Sequence, residues 1–305
     1  MIDVSDNVKE LFKDNQSHGY SMKLEFGSDP YFEESEITLT ESDIKLESAS
    51  LFDSICVSET LQFGIVNASQ FSCTLLKVTA NLKGKYLKVT YYVEGNEIPY
   101  GRYYVESCDR TIYTSERELV AYDYAYFLNQ DAKKFFFIRM KSRECQSIAE
   151  EIFDYLGLKY QETELPNNLT SNKMSYSSLT FSTILQWIGE VNWGWWKPDR
   201  YGVFRFVQID MESTPEQISY ILSQSAQYEE YITEKYDSVQ FRGFLRLDPK
   251  IPEEDEYTYI PDGNSGINPY VLTQDNAFIN YKTEDELDEL GELLLVGYSK
   301  IVYRP

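Results

Sequence analysis

Between Lys85 and Ser107 the chain spells out a β-hairpin, and no other feature limits the fold as much. The run Lys85-Tyr-Leu-Lys-Val-Thr-Tyr-Tyr-Val93 puts Leu87, Val89, Tyr91 and Val93 on one face, an alternation that a helix cannot satisfy. Glu94-Gly-Asn-Glu97 supplies the turn, and Ile98-Pro-Tyr-Gly-Arg-Tyr-Tyr-Val-Glu-Ser107 returns as the partner strand. Another strand is expected over Glu116-Arg-Glu-Leu-Val-Ala-Tyr-Asp123. Upstream, Leu61, Phe63 and Ile65, a turn at Asn67-Ala-Ser, and then Phe71, Cys73 and Leu75 read as strand, turn and strand. Short strands at this spacing predict a small barrel or sandwich.

The periodicity changes after Phe135. Ile148, Ala149, Ile152, Phe153 and Leu156 form one helical stripe, with Ser142 as the candidate cap and Gly157 as the stop. A second helix is expected from about Thr180 to Val191, burying Phe181, Ile184, Leu185 and Ile188 and ending at Asn192. Residues 195–207 then read as a hairpin turning near Pro198 to Gly202. Farther on, Tyr236 to Leu247 reads as a strand and the Pro-, Gly- and acid-rich segment 249–266 as a loop. Thr283 and Glu286 make a capping box ahead of Leu287, Leu290 and Leu294.

The expected fold class is therefore α+β and β-dominated. A β-barrel domain is expected over 1–130 and an α+β domain over 131–212. A second barrel-like and helical region, incomplete and interleaved with the preceding domains, is expected over 213–305.

Chemistry finds little to work with. Nucleophilic catalysis normally needs a base, and the sole histidine, His18, lies in a polar turn. Cys56, Cys73, Cys108 and Cys145 form no CxxC pair, so they read as small apolar filler rather than metal ligands. The acidic run 253–256 lacks the alternating spacing of a calcium loop. No phosphate-cradling glycine motif occurs. Neither catalytic residues, metal nor cofactor are expected, and the chain does not read as an enzyme.

Composition narrows the partners. With 28 basic against 50 acidic residues the net charge is −22, which disfavours binding to phosphate backbones or anionic lipid. No stretch approaches the roughly 20 apolar residues of a membrane span, and the first residues lack a signal peptide's basic and apolar regions. The 26 tyrosines and 17 phenylalanines suit half-buried sheet faces and protein contacts. Trp193, Trp195 and Trp196 form a candidate contact surface able to stack on a sugar ring. They also suit a wedge between the second helix and its hairpin.

Segment order carries a resemblance. The strand region 37–44 precedes Leu61-Gln-Phe-Gly-Ile-Val-Asn-Ala-Ser-Gln-Phe-Ser-Cys-Thr-Leu75. The Leu82-Lys-Gly-Lys turn, the 98–105 return strand and Val120-Ala-Tyr-Asp-Tyr-Ala-Tyr-Phe-Leu128 follow. From about residue 35 this series, with 179–192 and 268–278, resembles the central hub proteins of phage tails. The positions carrying the likeness are Phe63, Ala68, Phe71, Gly84, Pro99, Gly101, Val105, Tyr122 and Asp123.

The resemblance implies a structural protein of the virion tail, assembled in a bacterial cytoplasm. It implies a homotrimer of β-barrel and α+β domains around an axial channel, at the baseplate hub or tail tip. Its expected partners are a distal tail ring protein, the tape-measure protein and a downstream tip, fibre or lysin component. Sequence-specific DNA binding and stable membrane anchoring are not expected. The alternative reading is a carbohydrate-binding surface module built on the three tryptophans.

Overall fold

A computed structural model describes residues 6–11, 19–32, 34–53, 63–110, 115–133, 135, 143–171, 179–208, 236–244, 255–273, 276, 278–279 and 282–298. His18, Cys56, Leu61, Ser142, Leu245, residues 253–254 and the end of the chain from 299 lie outside these.

After a short helical turn, α1 (Asp6–Leu11), seven strands build one antiparallel sheet. They are β1 (Tyr20–Gly27), β2 (Ile37–Thr40), β3 (Ser50–Phe52), β4 (Gln70–Leu75), β5 (Tyr86–Val93), β6 (Asn96–Arg110) and β7 (Arg117–Tyr122), in the order β2-β1-β5-β6-β7-β4-β3. The hairpin anticipated over 85–107 is β5 and β6. Its two-residue turn places Glu94 at φ 49° and Gly95 at φ 78°, the left-handed pair that matches strand twist. Strand β6 carries extra residues at Tyr100, beside Pro99, and at Glu106, where the registers to β5 and β7 shift. Proline is tolerated there because a bulge interrupts the ladder.

The sheet is strongly curled. From Thr40, paired with β1, the chain reaches Ile44, bridged to Leu75 on the far side of β4. Four residues span at most ~14 Å. Flat, the six strand spacings between those edges would cover ~29 Å at ~4.8 Å each. Curling gathers Leu24 and Phe26 from β1, Leu39 from β2 and Phe71, Cys73 and Leu75 from β4 into one core with Leu87, Val89, Tyr103 and Val105. The expected barrel is nevertheless not closed: among the described residues no ladder joins β2 to β3. The chain crosses between the edges through a 3-10 turn, Glu41–Asp43, instead of hydrogen-bonding them.

A second core holds the rest. Helix α2 (Cys145–Leu156) follows β8 (Arg143–Glu144), which pairs with β9 (Thr170–Ser171) farther along, and ends at Gly157 with φ 67°. Helix α3 (Phe181–Val191) is capped by the Thr180 hydroxyl, which accepts from the Thr183 amide at 3.2 Å. It runs into the hairpin β10 (Gly194–Pro198) and β11 (Phe204–Gln208). Strands β12 (Ser238–Phe244), β13 (Asp255–Tyr259) and β14 (Pro269–Thr273) form a three-stranded sheet, order β13-β12-β14, under α4 (Glu284–Tyr298). Phe153, Phe181, Trp195, Phe204, Phe241, Phe278, Leu287, Leu290 and Leu294 belong to one continuous cluster. The capping box stands: Thr283 and Glu286 exchange side-chain and backbone bonds at 2.8 and 3.2 Å.

Two expectations fail locally. The 249–266 loop contains β13, whose Tyr257 and Tyr259 pack against the second core. The strand anticipated through Phe63 and Ile65 is a turn followed by irregular chain. Gly64 has φ 81°, and a Cβ there would overlap the Gln186 carbonyl of α3. Gly189 meets Gly64 from the helix side, and the Gly64 amide donates to the Gly194 carbonyl at 3.0 Å. Close backbone contact, which only glycine permits, replaces strand pairing.

Candidate functional site: the seam, the hairpin and the tyrosine face

The three tryptophans do not form an exposed platform. Trp193, Trp195 and Trp196 are 7%, 7% and 4% accessible. Trp195 packs on Phe63 with ring centroids 5.1 Å apart, and Trp196 lies between Phe153 and Phe206, each at 5.1 Å. Trp193, at φ 53°, covers Gly297 of α4 closely enough to leave no room for a Cβ. The wedge reading holds, and the contact-surface reading is corrected: this chain presents no indole face to a sugar.

Where the curled sheet meets this hairpin lies a cavity of about 370 Å³, lined in part by Asp53, Ser69, Arg102, Asp123, Lys197 and Arg200. Lys197 of β10 ion-pairs with Asp53, which follows β3. Ser69 donates to the same Asp53 oxygen at 2.8 Å. Burial would raise the Asp53 pKa, but the bonds from Lys197 and Ser69 outweigh it and hold the carboxyl below its usual range.

Asp123 lies just behind. It caps the 3-10 turn Tyr124–Asn129 by accepting from the Ala125 amide at 3.0 Å, and its own amide donates to the Ser69 carbonyl at 2.9 Å. Burial pushes its pKa up to about 6 despite the bonds from Ser69 and Ala125. Arg200, in the hairpin turn, reaches the Tyr100 carbonyl at 2.6 Å, so the β6 bulge presents a carbonyl to the neighbouring layer. Tyr124 donates to the Pro30 carbonyl, and its ring fills the space beside Gly202. The seam bonds two layers together, with Ser69 and Lys197 both committed to Asp53.

The three described cysteines behave as filler. Cys73, Cys108 and Cys145 are buried and free. Burial, with Cys108 nearby, lifts the Cys73 thiol to about 12, and burial raises the other two as well. Among the described residues no group of three or more His, Cys, Asp or Glu could hold a metal.

The sheet face turned away from the first core carries aromatic rings, of which Tyr86 packs against the second core. Tyr86, Tyr104 and Tyr122 are successive partners across β5, β6 and β7, all half-buried. Tyr126 stacks on Tyr122 at 5.4 Å and on Tyr104 at 5.8 Å. The ladder is partly covered from within, Tyr86 and Tyr104 packing on Phe127 of the 3-10 turn.

Comparison with known proteins acts on the whole architecture. No protein-family model matches the sequence, and no curated protein matches it. Solved structures do. A tail protein from Neisseria meningitidis MC58 superposes with a TM-score of 0.51 at 12% identity, over 89% of this chain and 74% of its own. The 43 kDa tail protein of prophage MuSo2 from Shewanella oneidensis gives 0.50 at 11% identity, over 93% and 80%. The chain has the fold of phage tail proteins.

Within that fold the positions carrying the resemblance fall into separate jobs. Phe63 and Ala68 pack toward the second core, whereas Phe71 and Val105 fill the first. Gly84, at φ 80°, turns the chain into β5, and Gly101 lies beneath the Tyr103 ring. Tyr122 joins the ladder. Gly101 and Asp123 are the two among them that also line the seam. The seam residues Asp53, Ser69 and Lys197 carry no motif in the sequence and were missed there.

Proposed function

We propose that the chain is a structural subunit of a phage tail or tail-like particle. In this reading three copies form a hub around the axial channel, at the tail tip or baseplate, and join the sixfold tail to a threefold tip. The observation that carries the proposal is the fold shared with two tail proteins across 89% and 93% of this chain. The role is non-enzymatic and lies in contact surfaces. The half-buried tyrosine ladder on β5, β6 and β7 supplies one, since tyrosine buries area while its hydroxyl stays wet.

The partners proposed are a distal tail ring, the tape-measure protein and a downstream tip, fibre or lysin component. Part of the acidic surface faces the channel, so that DNA passes without sticking. Light scattering and electron microscopy of the purified protein, alone and mixed with a distal tail ring, test the hub. A three-chain mass and threefold averages are expected. A persistent monomer under both conditions overturns it.

A further inference from the structure

A groove of about 660 Å³ runs beside the last turns of α4, remote from the seam. Tyr236, Tyr259, Pro261, Leu295 and Val296 line it with apolar surface, and Glu292 stands at its side. The surroundings are apolar too: Val296 is 50% exposed, Leu293 40% and Ile260 47%. Every charged residue of α4 is acidic, six in all, at 284, 285, 286, 288, 289 and 292.

Acidic side chains surround the groove's phenol. Tyr259 holds its proton more tightly than usual, first through burial and then through Glu292, Asp288 and Asp262. The C-terminal end of α4 adds the negative pole of the helix dipole. On the loop side Asp237 is fixed as an anion, accepting from Ser265 at 2.7 Å and from the Asn268 and Ile267 amides at 3.1 and 3.2 Å.

We propose that this groove is a docking site for a cationic, apolar-anchored peptide segment of a partner chain. Aliphatic side chains would cover Tyr259, Pro261 and Val296, and a Lys or Arg would meet Glu292. Charge complementarity selects this occupant. A second copy of this chain, itself at −22, would set one acidic surface against another. The proposal rests on the groove alone and stands or falls independently of the hub.

The test uses the full chain and three fluorescent synthetic peptides of equal length, alternating Lys-Leu, Lys-Ser and Glu-Leu, read by anisotropy. The Lys-Leu peptide is expected to bind tightest. Val296→Asp and Glu292→Lys, both at exposed positions, are each expected to weaken it about tenfold with thermal unfolding unchanged. Glu97→Lys, the same charge change on the distant β5–β6 hairpin, is expected to leave it within about twofold. Equal binding of Lys-Ser and Lys-Leu, or equal loss in Glu97→Lys and Glu292→Lys, overturns the proposal as diffuse attraction. The segment after α4 carries Lys300 and Arg304. If Lys300→Glu with Arg304→Glu tightens peptide binding about tenfold, the chain's own end fills the groove, and the partner proposal falls.

Discussion

Asp123 links a single proton to the stability of the seam. Its folded pKa is about 6 against an ordinary 3.8, raised chiefly by burial. The folded chain therefore binds more protons than the unfolded chain between these values. Stability from this group is fully present below about pH 4 and is lost as pH rises through about 6, by about 3 kcal/mol for a shift of about 2 units. Asp123→Asn keeps an acceptor for the Ala125 amide and removes the titration. Urea unfolding at pH 4.5 and 7.5 is expected to show the wild type losing about 2 kcal/mol more than the variant between those values, the rest of the effect lying below pH 4.5. Equal losses would mean that water or Lys197 keeps the carboxylate comfortable.

A second residue-scale prediction concerns Gly64. Alanine there meets both a left-handed φ of 81° and the Gln186 carbonyl, so Gly64→Ala should destabilise the chain by about 3 kcal/mol. Thermal unfolding checks this; a change below about 0.5 kcal/mol would mean that the loop lifts off α3 at little cost.

At the scale of elements, legibility followed locality. The β5–β6 hairpin, α2, α3, the Trp hairpin and the capped α4 were all readable, because each is set by a period and a stop within its own segment. The failures are elements whose conformation is decided by a distant partner. Leu61, Phe63 and Ile65 alternate like a strand, yet Gly64 is held by Gly189 and Gly194, far along the chain. In β13 the acids masked an alternation of Tyr257 and Tyr259 that only the underside of α4 explains. The seam was unreadable for the same reason: positions 53, 69, 123 and 197 share no spacing.

Asn192 marks the boundary between these cases. It read as a helix stop, and it is also a clasp. Its carbonyl oxygen accepts from the Asn167 amide at 2.7 Å, and its amide nitrogen donates to the Ile188 carbonyl at 2.8 Å. Asn167 in turn donates to the Val191 carbonyl at 2.7 Å. Both side chains are buried, so Asn192→Ala strands the Asn167 amide and should cost about 2–3 kcal/mol in chemical denaturation. Retention of full stability would show that water replaces the clasp.

For the whole molecule, charge sets the conditions under which the proposed assembly forms. Each chain carries −22, so three copies bring together 3 × 22 = 66 negative charges. Contacts of the tyrosine-ladder kind gain by burying rings and are little affected by salt, whereas repulsion between the chains is long-ranged and screened. The screening length falls from about 30 Å at 0.01 M salt to about 8 Å at 0.15 M, from roughly a subunit's reach to a few side chains. Self-association should therefore strengthen as salt rises, opposite to an interface held by ion pairs. Light scattering at fixed protein concentration is expected to move from one-chain toward three-chain mass between these two salt levels. The opposite trend would place ion pairs, rather than aromatic burial, at the centre of the interface. No change from a one-chain mass at either level would leave the acidic surface without copies to repel, and would weigh against the trimer itself.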